Sequence, residues 1–125
     1  MLHILAVEKS ALVACLILYK RYPDFWQKSL EGIGIDAFNP TFKQDIAAMR
    51  RKLGPKVCII GNIPPMALAR ETPERVAEIT RDTIDEYVKE NGSIRGLLLS
   101  TGGGAPMGAR RENIEAMIET AKNYR

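Results

Sequence analysis

The sequence predicts an α/β fold built on a parallel sheet, and three observations carry that prediction. Short apolar runs alternate with longer amphipathic ones along the chain. The alternation recurs about every 30 to 35 residues, which is the length of a strand–helix unit rather than of a hairpin. Lys56-Val57-Cys58-Ile59-Ile60-Gly61 places four apolar residues in succession, the pattern of an interior parallel strand covered on both faces. Thr72-Pro73-Glu74 sets an N-cap, an N1 proline and a first-turn acid ahead of apolar positions at helical spacing, a strong start signal for a helix. About four strand–helix units follow one another in this reading.

The first strand is expected over 2–7, a run too short for periodicity alone to exclude the start of a helix. A helix then runs from 9 through 20, bends near Tyr22-Pro23 and ends by Gly32, because proline lacks the amide that continues the helical ladder. The second strand covers 33–38, Asn39-Pro40-Thr41 supplies a turn and a cap, and a helix over 43–53 stops at Gly54-Pro55. After the strand at 56–61 comes a loop over 62–65. The helix announced by Thr72 carries Val76, Ile79, Thr80, Thr83, Ile84, Tyr87 and Val88 at helical spacing and ends at Asn91-Gly92. The last unit pairs an apolar strand at 94–100 with a loop over 101–106 and a helix over 111–124, expected to bury Ile114, Met117, Ile118 and Ala121.

Composition narrows the function. With 125 residues, 46% of them hydrophobic and 26% charged, the chain has the make-up of one ordinary globular domain spanning 1–125, and no long linker divides it. The most apolar stretch, 11–19, is about half what a helix needs to cross a bilayer, and Glu8-Lys9-Ser10 interrupts the apolar start where a leader would need continuity. The 18 basic residues against 15 acidic ones are too small a bias to point to nucleic acid. Neither a membrane nor a nucleic acid is therefore an expected partner. Cys15 and Cys58 each lie in an apolar segment and read as core thiols of a cytoplasmic protein.

In a parallel α/β sheet the loops beyond the carboxyl ends of the strands converge, so 7–8, 39–42, 61–65 and 100–107 should share one rim. Asn39 and Asn62 offer a carbonyl and an amide there, and each equally suits a turn. Glu8 and Asp36 are acid or base candidates, with structural pairing the alternative for Asp36. Thr101-Gly102-Gly103-Gly104 is either a turn or a close approach of backbone amides to an anion, and lacks the Lys-Ser/Thr of a P-loop. His3, the single histidine, has burial, proton transfer and metal binding open to it. The cysteines have no zinc spacing, and Ser100 lacks the Gly-x-Ser-x-Gly surroundings of a nucleophile elbow. The candidate ligand rim is thus His3, Asn39, Asn62, Thr101, Gly102 and Gly103, with no metal site assigned.

Four segments, in order, carry a resemblance: Gly61-Asn62-Ile63-Pro64-Pro65, Glu71-Thr72-Pro73-Glu74-Arg75-Val76, Leu97-Leu98-Leu99-Ser100-Thr101-Gly102-Gly103-Gly104 and Glu112-Asn113-Ile114-Glu115-Ala116-Met117. Together they make the chain resemble the carboxyl-terminal half of the uroporphyrinogen decarboxylase family, which includes corrinoid-dependent methyltransferases. The resemblance implies a partial TIM barrel, with the strand–helix units standing for the second half of a (β/α)₈ ring. It implies a tetrapyrrole ligand whose acetate arms are decarboxylated without a cofactor by residues from both barrel halves. For the methyltransferase branch it implies a corrinoid and a zinc site built from a His-x-Cys pair and a later cysteine. Here His3 matches the histidine, whereas Leu5 stands at the first cysteine and Gly103 near the second, so a complete zinc site is not expected. A half barrel leaves an edge strand and core surface to cover, which favours a homodimer over a compact open domain rearranged around the missing half, with a noncatalytic homo-oligomerising remnant as the alternative to an enzyme domain.

Overall fold

Backbone amides and carbonyls of three short strands lock them side by side in the order β1 (Ala37–Phe38), β2 (Cys58–Ile60), β3 (Leu97–Leu98), all parallel. The computed structural model describes residues 36–125, which fall within one compact unit, Ile35–Arg125. The register sets Ala37 beside Cys58, Phe38 beside Ile59, Ile59 beside Leu97 and Ile60 beside Leu98. Between the strands lie α1 (Ile46–Leu53), the short α2 (Ala67–Arg70) and α3 (Pro73–Asn91), with α4 (Arg111–Lys122) last. The sheet among the described residues is open, consistent with part of a TIM barrel. The strand and helix expected over 2–32, with His3, Glu8 and Cys15, lie outside the described residues.

Two of the helices, α1 and α3, begin where the sequence supplies a side-chain acceptor for an orphan amide. Asp45 caps α1, its carboxylate accepting from the Ala48 amide at 2.8 Å, and Thr72 caps α3 by accepting from the Arg75 amide at 3.3 Å. Pro73 then occupies the first turn of α3 and Gly92 ends it. The cap at Asp45 corrects the expected start of α1: Thr41 serves the preceding turn, accepting from the Gln44 amide at 2.9 Å, and residues 43–45 stay outside the helix. The 62–66 segment leads into α2, an element the sequence pattern did not announce.

Two apolar clusters form the core. Ile46 and Met49 of α1, Ile59 of β2 and Tyr87 of α3 pack together under Phe38, Leu53 and Leu97. Ala67 and Leu68 of α2 and Val76 of α3 form the other, against Ile79, Ala109, Ile114 and Met117. Burying a side chain of this size contributes about 1.5–3 kcal/mol. The expected strands were longer than those found: 56–61 contracts to Cys58–Ile60, and 94–100 contracts to Leu97–Leu98 because 92–96 turns, leaving Ile94 54% and Leu98 57% exposed. Cys58 is half-buried rather than a full core thiol. On α4 the expected apolar residues Ile114 and Met117 pack against the core and Ala121 is partly buried, whereas Ile118 is 41% exposed and Asn113 is the fully buried residue.

A cation sits inside this core. Arg50 is 5% exposed, and its Nε donates to the Tyr87 hydroxyl at 3.0 Å, its Nη1 to the Gly54 carbonyl at 2.7 Å and its Nη2 to the Gly96 carbonyl at 3.1 Å. The Tyr87 hydroxyl in turn donates to the Arg95 carbonyl at 2.8 Å. Gly96 must be glycine for this: its φ is +79°, and an added methyl group would overlap Arg50 Nη2 and lie 3.1 Å from the Tyr87 hydroxyl. The network joins α1 and α3 to the start of β3. Tyr87→Phe should therefore lower stability by about 1–3 kcal/mol, read as a shift of the urea midpoint.

A second coupling between α1 and α3 is pH-sensitive. Partial desolvation holds the Glu86 carboxyl above its ordinary value, and the Asp45 carboxylate, by charge and hydrogen bonding, adds to the rise. Folding thus favours protonated Glu86, so its stabilising contribution is complete below the ordinary carboxyl range and is lost as pH rises through the elevated value. Glu86→Gln should raise the urea midpoint at neutral pH and flatten its decline between mildly acidic and neutral buffers.

Candidate functional site

At the carboxyl ends of the three strands the chain folds into loops 39–44, 61–66 and 99–108. Backbone pairing continues past the strands: the Gly61 amide donates to the Leu98 carbonyl and the Ile63 amide to the Ser100 carbonyl, both at 3.0 Å, and the Gly102 amide returns to the Ile63 carbonyl at 2.9 Å. An isolated parallel bridge joins Ile63 to Thr101. These bonds carry the second and third loops forward as a pair.

Asn62 secures the first loop to the second. It is 8% exposed, and its Nδ2 donates to the Gln44 carbonyl at 2.6 Å and the Thr41 carbonyl at 3.3 Å. Gln44 closes the turn from the other side, its Oε1 accepting from the Thr41 amide at 3.3 Å. Gly102 joins the third loop to the first by close approach: a methyl group there would overlap the Phe42 amide nitrogen and lie 2.6 Å from the Phe42 Cα. Only a residue without a side chain lets the two backbones meet at that spacing.

Of the rim residues the sequence singles out, Asn62, Thr101 and Gly102 are buried at the junction, while Asn39 and Gly103 are exposed. The Thr101 hydroxyl donates to the Gly103 carbonyl, so it shapes the glycine turn from within. The Gly102 amide is occupied by Ile63. Asp36 is exposed, and its backbone carbonyl accepts from the Cys58 amide at 2.8 Å. Among the described residues no group of three or more His, Cys, Asp or Glu is placed to hold a metal ion, and Gly103 brings no donor side chain to its loop. The described residues alone thus offer no zinc ligand set. Two hollows among the described residues lie away from this rim, one beside α3 and α4 at Arg81, Asp85, Glu119 and Tyr124, and a smaller apolar one under β3.

Two residues that hold this arrangement were not selected from sequence. Asn113 is fully buried at the start of α4, and its Nδ2 donates to the carbonyls of Leu68 at 3.0 Å, Glu71 at 2.8 Å and Ala67 at 3.4 Å. It therefore satisfies the carboxyl end of α2 and fixes the helices that follow the second and third loops against each other. Arg50 does the corresponding work at the opposite end of the sheet. Its position was legible: 46, 49, 50 and 53 fall on one face of a helix.

The clamp predicts separable effects. Asn62→Ala should cost about 1–2 kcal/mol and accelerate amide exchange in 41–44 ahead of the rest of the chain. Gly102→Ala should displace the same turn, seen as chemical-shift changes centred on Phe42.

Comparison with known proteins supplies the lineage of this rim. The family model for uroporphyrinogen decarboxylase matches residues 9–124. Among curated relatives, the chain is 28% identical over 109 residues to the uroporphyrinogen decarboxylase of Coxiella burnetii, covering 87% of this chain and 29% of that protein. It is 27% identical over 108 residues to that of Dechloromonas aromatica, covering 86% and 29%, and 33% identical over 89 residues to that of Trichodesmium erythraeum, covering 71% and 23%. The chain thus spans less than a third of the length of these relatives. With a match that runs through nearly all of its residues, the chain belongs to the uroporphyrinogen decarboxylase family.

Proposed function

We propose that the chain supplies the carboxyl-terminal strand–helix units of a uroporphyrinogen decarboxylase-like barrel and that its rim binds a tetrapyrrole. The observation that carries this reading is the Asn62 clamp, which draws the loop after β1 onto the loop after β2 at the end of a parallel sheet where ligands of such folds bind. In this reading Asn62 is a positioning residue, whereas exposed Asn39 and the backbone around Gly103 face the ligand's carboxylate arms. Decarboxylation of an acetate arm would draw on groups from the other barrel half as well, so this chain's share is binding and orientation.

The methyltransferase alternative, with a corrinoid as its partner, has less support, because the residues near Gly103 offer no zinc donors. A second copy of the chain is the proposed partner. Among the described residues β3 pairs on one side only and carries exposed Leu98 beside exposed Ile94, surface that association would cover. No helix among the described residues is long and apolar enough to cross a membrane, and the free thiol of Cys58 suits a reducing cytoplasm.

The test is a fluorescence titration of the chain with uroporphyrin alongside solution mass over a concentration series. Saturable binding that weakens in Asn39→Ala while the urea midpoint stays constant supports the rim. A chain that binds no uroporphyrin at any concentration at which it is folded overturns the tetrapyrrole reading, and a mass that remains that of one copy throughout overturns the dimer.

A further inference from the structure

We propose that Phe42 and Lys43 form a rigidly held aromatic–cation step that receives one pyrrole ring of the ligand together with its carboxylate arm, an inference that rests on the tetrapyrrole reading above. The two residues are consecutive in the turn after β1, and both are exposed, Phe42 to 44%. Single exposed apolar residues are ordinary on protein surfaces. What distinguishes Phe42 is how much of the fold is devoted to holding its turn still. The buried Asn62 amide grips the carbonyls of Thr41 and Gln44, the residues on either side of the pair. Gln44 returns a side-chain bond to the Thr41 amide. From the third loop, Gly102 presses so closely against the Phe42 main chain that no side chain fits between them. Hydrogen bonds from one neighbouring strand end and a close backbone approach from the other thus fix a turn whose outward groups are a phenyl ring and an ammonium, with Lys43 Nζ 5.9 Å from the ring centroid.

That pairing selects a ligand by chemistry. The ring offers a flat apolar face for a pyrrole, and the ammonium offers a charge partner for an anionic arm attached to it. Because the turn is already fixed, binding does not have to order it, which favours affinity. The other two strand-end loops add apolar surface at the same end of the sheet, Met66 at 42% and Met107 at 100% exposure. A polycarboxylate with apolar rings matches this mixture, whereas a small hydrophilic anion would leave Phe42 without a role.

Titration of uroporphyrin into the unmodified chain, Phe42→Leu and Lys43→Gln tests the step. Phe42→Leu keeps apolar bulk and removes the aromatic face, so it should weaken binding about tenfold. Lys43→Gln should weaken it several-fold at low ionic strength, and that difference should disappear as salt is raised. Urea midpoints should stay constant, as both side chains are exposed; if Phe42→Leu lowers its midpoint, Lys43→Gln with its salt dependence decides. If the unmodified chain binds uroporphyrin and both variants bind equally well at every salt concentration, the step is wrong while the tetrapyrrole reading stands. If the unmodified chain does not bind, both fall together.

Discussion

A buried guanidinium with no carboxylate beside it among the described residues needs other acceptors for its donors, and the Arg50 network shows the fold organised around that demand. Its acceptors are a phenol and two backbone carbonyls, drawn from α3, from the end of α1 and from the residue before β3. Each acceptor is itself fixed by secondary structure, so the charge is solvated by groups that cannot follow it elsewhere. A buried cation satisfied this way holds one geometry, because any displacement leaves a donor bare at a cost of about 1–3 kcal/mol. Tyr87 does double work here, packing its ring in the apolar cluster while its hydroxyl closes the polar network.

The opposite end of the sheet is held by amides in place of a charge. Asn62 bridges the first and second strand-end loops, and Asn113 bridges the helices that follow the second and third. Each side chain directs its paired N–H donors to main-chain carbonyls of a neighbouring segment. Such links are directional where apolar packing is not, and they define loop positions that a parallel sheet of two- and three-residue strands would leave loose. The loop edge is thereby preorganised by neutral groups, and the positive charge that remains on the turn at Lys43 stays exposed to solvent.

Much of this was legible in the sequence where local chemistry is decisive. The α3 helix appears with its expected cap and end because Thr72, Pro73 and Gly92 act within a few residues of themselves. The run around Ile59 is the central strand because successive apolar residues demand cover on both faces. Where tertiary contacts decide, the pattern misled. On α4, Asn113 takes a fully buried position against three carbonyls at the end of α2, and Ile118 lies outside the face that Ile114 and Met117 turn to the core. At the rim, residue type alone left Asn62 undecided between turn and ligand; its burial against Thr41 and Gln44 resolves its structural part. The approach of Gly102 to Phe42 joins residues sixty apart in sequence, and no local signal contains it.

Among the described residues β3 pairs on one side only, and in the proposed assembly of two copies that restricts how they can meet. If two β3 strands met across a two-fold axis perpendicular to the sheet, they would run antiparallel; about an axis along the strands, they would run parallel with the faces of the two sheets reversed. Neither arrangement extends the parallel order β1-β2-β3 with all helices kept on the same side. A ring made from two copies therefore requires β3 of each to dock against a different strand of the other. The contact would occur twice about the ring axis, heterologous at each seam while the whole remains two-fold symmetric.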